Sequence, residues 1–395
     1  HSFFGISGFE ASHIDPHQRL LLTVGFEALF QSVVETDPLK AKASMDNTMT
    51  GVFVGMGSTE WDTYQNLKSP YSATGLSSSI ASNRISYVLG LQGPSMTIDT
   101  ACSSALVALD SACQSLYNGN CTKALVSSVC LLLGPRGFVV TCAANMLSPT
   151  GRCATFSHDA DGYVRGEGCG AIVLMRAAPG SNLPVWGYIK GTAVLQDGQT
   201  ANLTSPNGLA QEMVIKKALG VAMVDPSDVC YHEAHGTGTA LGDPIEIRSL
   251  SSVHKNRTTK LIVGAVKTNV GHLEAGAGIV GLIKAVLVLY NRRVPKNLHM
   301  KQMNTKLEPY VQNIVFPRSE MALPESCELN ASVSSFGFGG TISHVVLGSS
   351  NDECVQSPIH WNKTKFPVYE NDLSQLQFPI KEIGHLQWIQ EWTIP

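Results

Sequence analysis

Asp99-Thr100-Ala101-Cys102-Ser103-Ser104-Ala105-Leu106 joins two different periodicities. The residues leading into it, Ser95–Asp99, read as a short strand. Those after it, Ser103–Leu116, place Leu106, Leu109, Ala112, Cys113 and Leu116 on one helical face, and Asn118-Gly119 stops the pattern. Cys102 therefore stands at a strand-to-helix elbow, the position from which a nucleophile is presented clear of a sheet. A helix N-terminus offers unpaired N–H groups and the positive end of a dipole, and both are expected to lower a thiol pKa from about 8.5. A cysteine in apolar surroundings is most often a small core residue. The elbow, and small residues on both sides of it, weigh against that here.

The same alternation runs outward in both directions. Strand-like runs recur at Gly51–Gly57, Ala124–Leu133, Cys169–Met175, Val185–Val194, Leu261–Val266, Asn313–Phe316 and Ser343–Leu347. Between several of them lie helical patterns. Gln211–Leu219 is amphipathic, and Ala277–Tyr290 is apolar nearly all round, as suits a helix inside a layered core. Alternating strands and helices predict an α/β layered fold. Of 395 residues 44% are hydrophobic and 15% charged, which is enough for a large buried core. After Leu347 the glycine-rich alternation ends, and Trp361, Trp388 and Trp392 cluster in a different composition. A boundary is expected near Ser350, between a main unit at 1–350 and a linker or extension at 351–395.

Charge is nearly balanced, 28 Lys and Arg against 31 Asp and Glu, with no basic stripe or acidic block. Nucleic acid and anionic membrane surfaces are poor partners for such a chain. No apolar run is expected to reach the roughly 18 residues of a membrane span, because Lys284 interrupts Ile279–Tyr290, the longest candidate. His1-Ser2-Phe3-Phe4 does not read as a charged region followed by an apolar stretch, so a secretory signal is not expected there. Ten cysteines without a C-x-x-C pair read as reduced thiols. An intracellular setting, cytoplasmic or plastid, is expected and secretion is not.

Three further stretches carry chemistry. His232-Glu233-Ala234-His235-Gly236-Thr237-Gly238-Thr239 resembles H-E-x-x-H, but the second histidine comes one residue early and glycines follow. The helical i, i+4 pair that grips zinc is absent, so no metal is expected. A histidine ahead of Gly-Thr-Gly-Thr suits hydrogen bonding to a flexible polar ligand. Lys267-Thr268-Asn269-Val270-Gly271-His272-Leu273-Glu274 follows a strand end, where α/β sites gather, although Lys267 and His272 alone could be a surface pair. The Gly276–Gly281 match to G-x-G-x-x-G falls inside a helix start and is better explained by close packing than by a nucleotide. Ser335-Phe336-Gly337-Phe338-Gly339-Gly340-Thr341 can bring backbone N–H groups to an oxyanion, or be a plain hairpin. No G-x-S-x-G elbow, Walker loop or C-x-x-C zinc pattern is present. One cysteine (Cys102), two histidines (His235, His272) and Lys267 are left as the plausible catalytic set.

In this order the four motifs resemble the β-ketoacyl synthases, most closely the ketosynthase domains of type I polyketide synthases. The likeness runs over residues 3–347. It includes Phe3-Phe4-Gly5-Ile6-Ser7 with Asp15-Pro16-His17-Gln18-Arg19-Leu20, then Asp161-Gly162-Tyr163-Val164-Arg165-Gly166-Glu167-Gly168, and Pro206-Asn207-Gly208. Leu241-Gly242-Asp243-Pro244-Ile245-Glu246 favours polyketide over animal fatty-acid synthases. The resemblance implies a thiolase-like fold of two similar halves in five αβαβα layers, normally a homodimer. It implies that Cys102 takes an acyl group from the phosphopantetheine of an acyl carrier protein. His235 and His272 would bind the thioester carbonyl of a malonyl-type extender and stabilise the enolate left by decarboxylation. That carbanion would attack acyl-Cys102. Lys267 would orient the histidines, and the N–H groups of Cys102 and Phe338 would form an oxyanion hole. Thr237, Thr239, Phe338 and Gly339 would contact the substrate, and Glu274 would support the site structurally. No bound cofactor or metal is implied.

Some positions depart from the pattern. The chain enters the first signature part-way, so an N-terminal strand is expected to be missing. Ile342-Ser343 stands where the family has Asn-Ala, Leu195 where asparagine is frequent, and Ser157 where aspartate is common. Ile342 keeps a non-elongating ketosynthase, which only passes a chain on, as an alternative. A fatty-acid-type synthase stays open, since acyl preference is not written in the motifs. A non-catalytic partner subunit would lack the cysteine, and a biosynthetic thiolase would carry a second one in a Cys-x-Gly setting near the C-terminus.

Overall fold

Two sheets organise the chain, which is seen here as a computed structural model describing residues 1–64, 68–177, 185–326 and 328–350. The 351–395 segment, Cys327 and Cys354 lie outside the described residues. In chain order the strands are β1 (Thr50–Met56), β2 (Ser95–Ile98), β3 (Lys123–Cys130), β4 (Gly168–Met175), β5 (Gly187–Gln196), β6 (Val229–Glu233), β7 (Leu261–Gly264), β8 (Arg293–Val294), β9 (Ile314–Val315), β10 (Met321–Ala322), β11 (Asn330–Phe336) and β12 (Thr341–Ser349). The first sheet has the order β2-β1-β3-β4 and the second β5-β12-β11-β6-β7-β9; β8 and β10 form a small ribbon. β1 is parallel to β2 and β3, and β6 is parallel to β7 and β11, while β4 is antiparallel to β3 and β12 is antiparallel to both of its neighbours, β11 and β5.

Helices fill three layers around these sheets. Pro16–Gln31 and Ser79–Leu89 cover the outer face of the first sheet. Ser104–Tyr117 and Ala277–Asn291 lie between the sheets, and Gly208–Ala222 with Gly242–Val253 cover the far face of the second. The result is the expected αβαβα stack. Side-chain alternation explains how one strand serves two layers. All seven residues of β1 are buried; Phe53 points into the middle layer, while Val52, Val54 and Met56 point outward. β12 divides in the same way, Val345 and Leu347 inward, Ile342 and Val346 outward.

Each half repeats one device. A strand runs to the same rim, turns through an elbow, and feeds a helix buried between the sheets: β2 into Ser104–Tyr117, β7 into Ala277–Asn291. Gly55 makes the first junction tight, since a Cβ there would lie 2.8 Å from the backbone of Ala105. One sequence expectation is corrected. The helical stretch Glu274–Asn291 does reach 18 residues, with mean hydropathy 1.4. Its apolar character is spent in the middle layer, where Ile279, Leu282, Ala285, Val288 and Leu289 are buried against both sheets.

β6 and β11 are strands that the sequence pattern does not announce, and the same holds for the outer helices Pro16–Gln31, Ser79–Leu89 and Gly242–Val253. β11 reads Asn-Ala-Ser-Val-Ser-Ser-Phe, too polar for a central strand, yet every residue is buried. Its serines find partners inside: Ser332 Oγ and Ser334 Oγ lie 2.8 and 2.9 Å from Nδ1 of His232 and His344.

Candidate active site

The first elbow holds Cys102 through a dense set of local bonds. Ala101 has φ 55°, in the left-handed region that a residue with a Cβ enters only when its surroundings enforce it. Its N–H donates to Asp99 at 3.0 Å. Ser104 Oγ accepts the Thr100 N–H at 2.8 Å and donates to the Ala101 carbonyl at 2.6 Å. From the other half, Ser335 Oγ donates to the Cys102 carbonyl at 2.6 Å. Gly337 presses on the same turn, so closely that a Cβ would meet the Thr100 carbonyl at 2.4 Å.

The second elbow brings His272 Nε2 to 3.0 Å from the Cys102 sulfur. Its main chain is clamped on both sides, His272 N–H to the Val164 carbonyl at 2.7 Å and Gly166 N–H to the His272 carbonyl at 2.9 Å. The Glu274 N–H donates to His272 Nδ1 at 3.1 Å. An Nδ1 that accepts leaves Nε2 as the protonated nitrogen of the neutral ring. Glu274 itself receives the Arg165 guanidinium, Nε at 2.6 Å and Nη2 at 3.2 Å.

His235 follows β6 and is set in the same manner. Its Nδ1 accepts the Phe336 N–H at 3.3 Å, so its Nε2 is also a donor. Glu246 fixes the loop by accepting the N–H groups of His235 and Gly236 at 2.7 and 2.8 Å. The two imidazoles stand nearly perpendicular, at 86°, with centroids 5.6 Å apart. The Cys102 sulfur and a ring nitrogen of each histidine lie within 4.8 Å of one another. That spacing would admit a metal ion, but both rings turn a protonated Nε2 rather than a lone pair to the centre, so the donor set does not fit one.

Burial dominates the titration of all these groups. It pushes the Cys102 thiol up to about 12, against Lys267 and the N–H groups of Phe338 and Cys102, which favour the thiolate. The lowering expected at a helix N-terminus is therefore outweighed by enclosure of the sulfur. Burial, then Lys267, holds His235 and His272 well below the ordinary imidazole range, so both are neutral donors. Lys267 is buried too, and desolvation lowers its pKa while Glu233 leads the carboxylates that oppose the drop.

The remaining sequence candidates are placed as follows. Thr237 and Thr239 lie on the loop after His235, their hydroxyls 3.2 Å apart, with Thr239 accepting the Gly242 N–H. Phe338 has an exposed side chain on the β11–β12 turn, and Gly339 beside it is open to solvent. Ile342 is fully buried in the outer cluster and is the register partner of Leu195. Two of the departures from the family pattern are thus one feature, an apolar cross-strand pair. Ser157 is buried, and its hydroxyl donates to the Gln302 carbonyl. Ser335, Phe336, Glu246 and Arg165 join the site without a sequence signal of their own. Glu246 and Arg165 lie within recognisable motifs, but nothing in the sequence says which backbone or carboxylate each will reach.

Comparison with known proteins identifies the family. The family model for the β-ketoacyl synthase N-terminal domain matches residues 1–179, and that for the C-terminal domain matches residues 186–301. The chain is 42% identical over 366 residues to a phenolphthiocerol/phthiocerol polyketide synthase polypeptide of Mycobacterium tuberculosis, covering 89% of this chain and 20% of that protein. Another polypeptide of the same synthase, also from Mycobacterium tuberculosis, is 43% identical over 358 residues, covering 89% and 23%. The chain thus spans only about a fifth of the length of these relatives. Among solved structures, the ketosynthase from module 6 of the bacillaene synthase of Bacillus subtilis 168 superposes with TM-score 0.82 at 34% identity, covering 88% of this chain and 62% of that one. The oxazolomycin ketosynthase domain from Streptomyces albus JA3453 gives 0.81 at 31% identity, covering 88% and 62%.

Proposed function

This chain belongs to the β-ketoacyl synthase family, and we propose that it is a condensing enzyme of the polyketide type, with Cys102 as acyl carrier. One observation carries the reading: donors from the second half converge on a single thiol of the first, His272 Nε2 at 3.0 Å with a nitrogen of His235 within 4.8 Å.

In the first half-reaction the Cys102 sulfur attacks the carbonyl carbon of an acyl thioester on the phosphopantetheine of an acyl carrier protein. The bond to the pantetheine sulfur breaks, and the thiol proton ends on that departing sulfur. The N–H groups of Cys102 and Phe338 receive the tetrahedral oxyanion. In the second half-reaction the Nε2–H groups of His235 and His272 bind the extender's thioester carbonyl. Loss of CO2 leaves an enolate whose charge those donors meet, so the bonds tighten on the way to the transition state. The enolate carbon attacks the acyl carbon, the carbon–sulfur bond to Cys102 breaks, and the thiolate recovers a proton from solvent. The products are a β-ketoacyl thioester and CO2. No bound cofactor takes part. Lys267 orients the histidines and, after burial, helps to keep them neutral; Thr237, Thr239, Phe338 and Gly339 line the path of the pantetheine arm, and Glu274 supports His272.

Elongation is favoured over chain transfer alone because Ile342 faces the outer cluster and is matched by Leu195, leaving the donor set intact. A homodimer across β2 is part of the proposal. β2 is an edge strand, and Met96 on it and the neighbouring Tyr87 and Tyr117 are exposed. An intracellular, reducing setting fits the eight described cysteines, all of them free thiols. Intact-protein mass spectrometry with acyl and malonyl carrier-protein thioesters tests the reading. It predicts an acyl adduct on Cys102 and a β-ketoacyl product. An adduct without product would remove elongation, and no adduct would remove the whole assignment.

A further inference from the structure

Arg165 is not among the reacting groups, yet it grips one of them twice. Its side chain is only 9% exposed, and its guanidinium forks onto Glu274. Glu274 holds φ 47°, a left-handed conformation that a non-glycine residue keeps only under constraint. In that conformation its N–H reaches His272 Nδ1 and so makes Nε2 the protonated nitrogen facing Cys102. The Arg165 backbone also bridges that of His272, with Val164 and Gly166 bonding the histidine main chain on either side. The guanidinium lies over the Phe138 ring, 4.8 Å from its centroid, and Gly137 sits so close that a Cβ would be 2.2 Å from Nη1. The arginine is thus braced on one side and forked on the other.

We propose that Arg165 is a positioning residue: through Glu274 it fixes the tautomer and aim of His272, so that Nε2–H rather than a lone pair meets the Cys102 sulfur and the extender carbonyl. This rests on the reading of Cys102 and His272 as partners in the reaction. The competing account is charge alone, since Arg165 is a cation and Glu274 an anion near a thiol. Glu274→Ala separates the two by sign. Removing a nearby negative charge eases ionisation of Cys102, so charge alone predicts faster alkylation, whereas loss of the Nε2–H donor predicts slower.

The rate of Cys102 alkylation by iodoacetamide against pH is the test. It needs no carrier-protein substrate, so it reads the pair even if condensation itself is absent. Glu274→Ala and Arg165→Gln are expected to slow alkylation and move its profile to higher pH. In condensation kcat should fall roughly ten- to hundred-fold with KM for the acyl thioester little changed, the scale of a misaimed catalytic group. Arg165→Lys keeps the charge without the fork and should recover only part of the rate. R165Q/E274A, which removes both charges, should remain as slow as R165Q. Faster alkylation in E274A, or parental rates in both R165K and the double variant, would overturn positioning. Should R165Q fail to fold, E274A and R165K carry the same decision.

Discussion

The two elbows do different work with the same fold element. The first is short, from Ile98 at the end of β2 to Ser104, and it strains one residue, Ala101, to aim one atom. The second is long, from Gly264 to Ala277, with the short helix Lys267–Val270 inside it, and it delivers Lys267, His272 and the Glu274 N–H. On the proposed reading a nucleophile needs one position, whereas a developing enolate needs several donors, and the loops after β6 and β11 add to those of the second elbow. Burial acts on both elbows with opposite sign. It raises the thiol pKa and lowers those of the imidazoles, and each group rests in its neutral form. The proton inventory of the resting cysteine and histidines is thus one thiol and two neutral rings.

The sharpest break of this division is at the reacting atoms. Cys102→Ala should abolish acyl transfer altogether. His235→Ala should lower malonyl decarboxylation by about 10²–10³-fold, the usual loss for an oxyanion donor, while acylation of Cys102 survives. His272→Ala should impair both steps, because that ring touches the sulfur as well. Separate assays of CO2 release and of adduct mass read the three outcomes. Next comes Lys267→Met. Lys267 lowers the pKa of both histidines, so its loss raises them, and the acid limb of the decarboxylation profile should move to higher pH.

Much of this division is legible in the chain itself, and the reason is local. Elbow position, helix start and glycine spacing are short-range properties, so Cys102, His235, Lys267, His272 and the Phe338 turn can be named from the sequence. What cannot be named depends on partners far along the chain. Ser335 reaches the Cys102 carbonyl across 233 positions, and Arg165 reaches Glu274 across 109. β11 escapes a pattern reading because its polarity is satisfied by groups far along the chain, Ser332 and Ser334 by His232 and His344, and Ser335 by the Cys102 carbonyl. The sequence misleads on the thiol pKa because the helix dipole is visible in it and enclosure is not.

Stability should respond to pH through the same buried rings. His235, His272, His254 and His344 all have folded pKa values below the unfolded value of 6.5. The stability they confer is present above 6.5 and is lost as pH falls towards the folded values, about 3 for His254. At pH 5 a ring of that kind costs about 2 kcal/mol. Urea titrations at pH 7 and 5 should show a clear drop in midpoint, and equal midpoints would contradict it. The smallest effect concerns the apolar pair in the outer cluster. Ile342→Asn should destabilise by about 2–3 kcal/mol, and Leu195→Asn by less, since Leu195 is only partly buried. The double variant should recover about 1 kcal/mol relative to the sum, as two facing amides can bond each other. Strict additivity in thermal unfolding would show that the two positions are independent.

Release of labelled CO2 from a malonyl carrier-protein thioester, measured side by side for Cys102→Ala and His235→Ala, tests the separation of roles most directly. The division between the elbows predicts that the cysteine variant still releases CO2 without forming product, and that the histidine variant takes up an acyl group but releases almost none. CO2 release that vanishes with Cys102 and persists without His235 would contradict it.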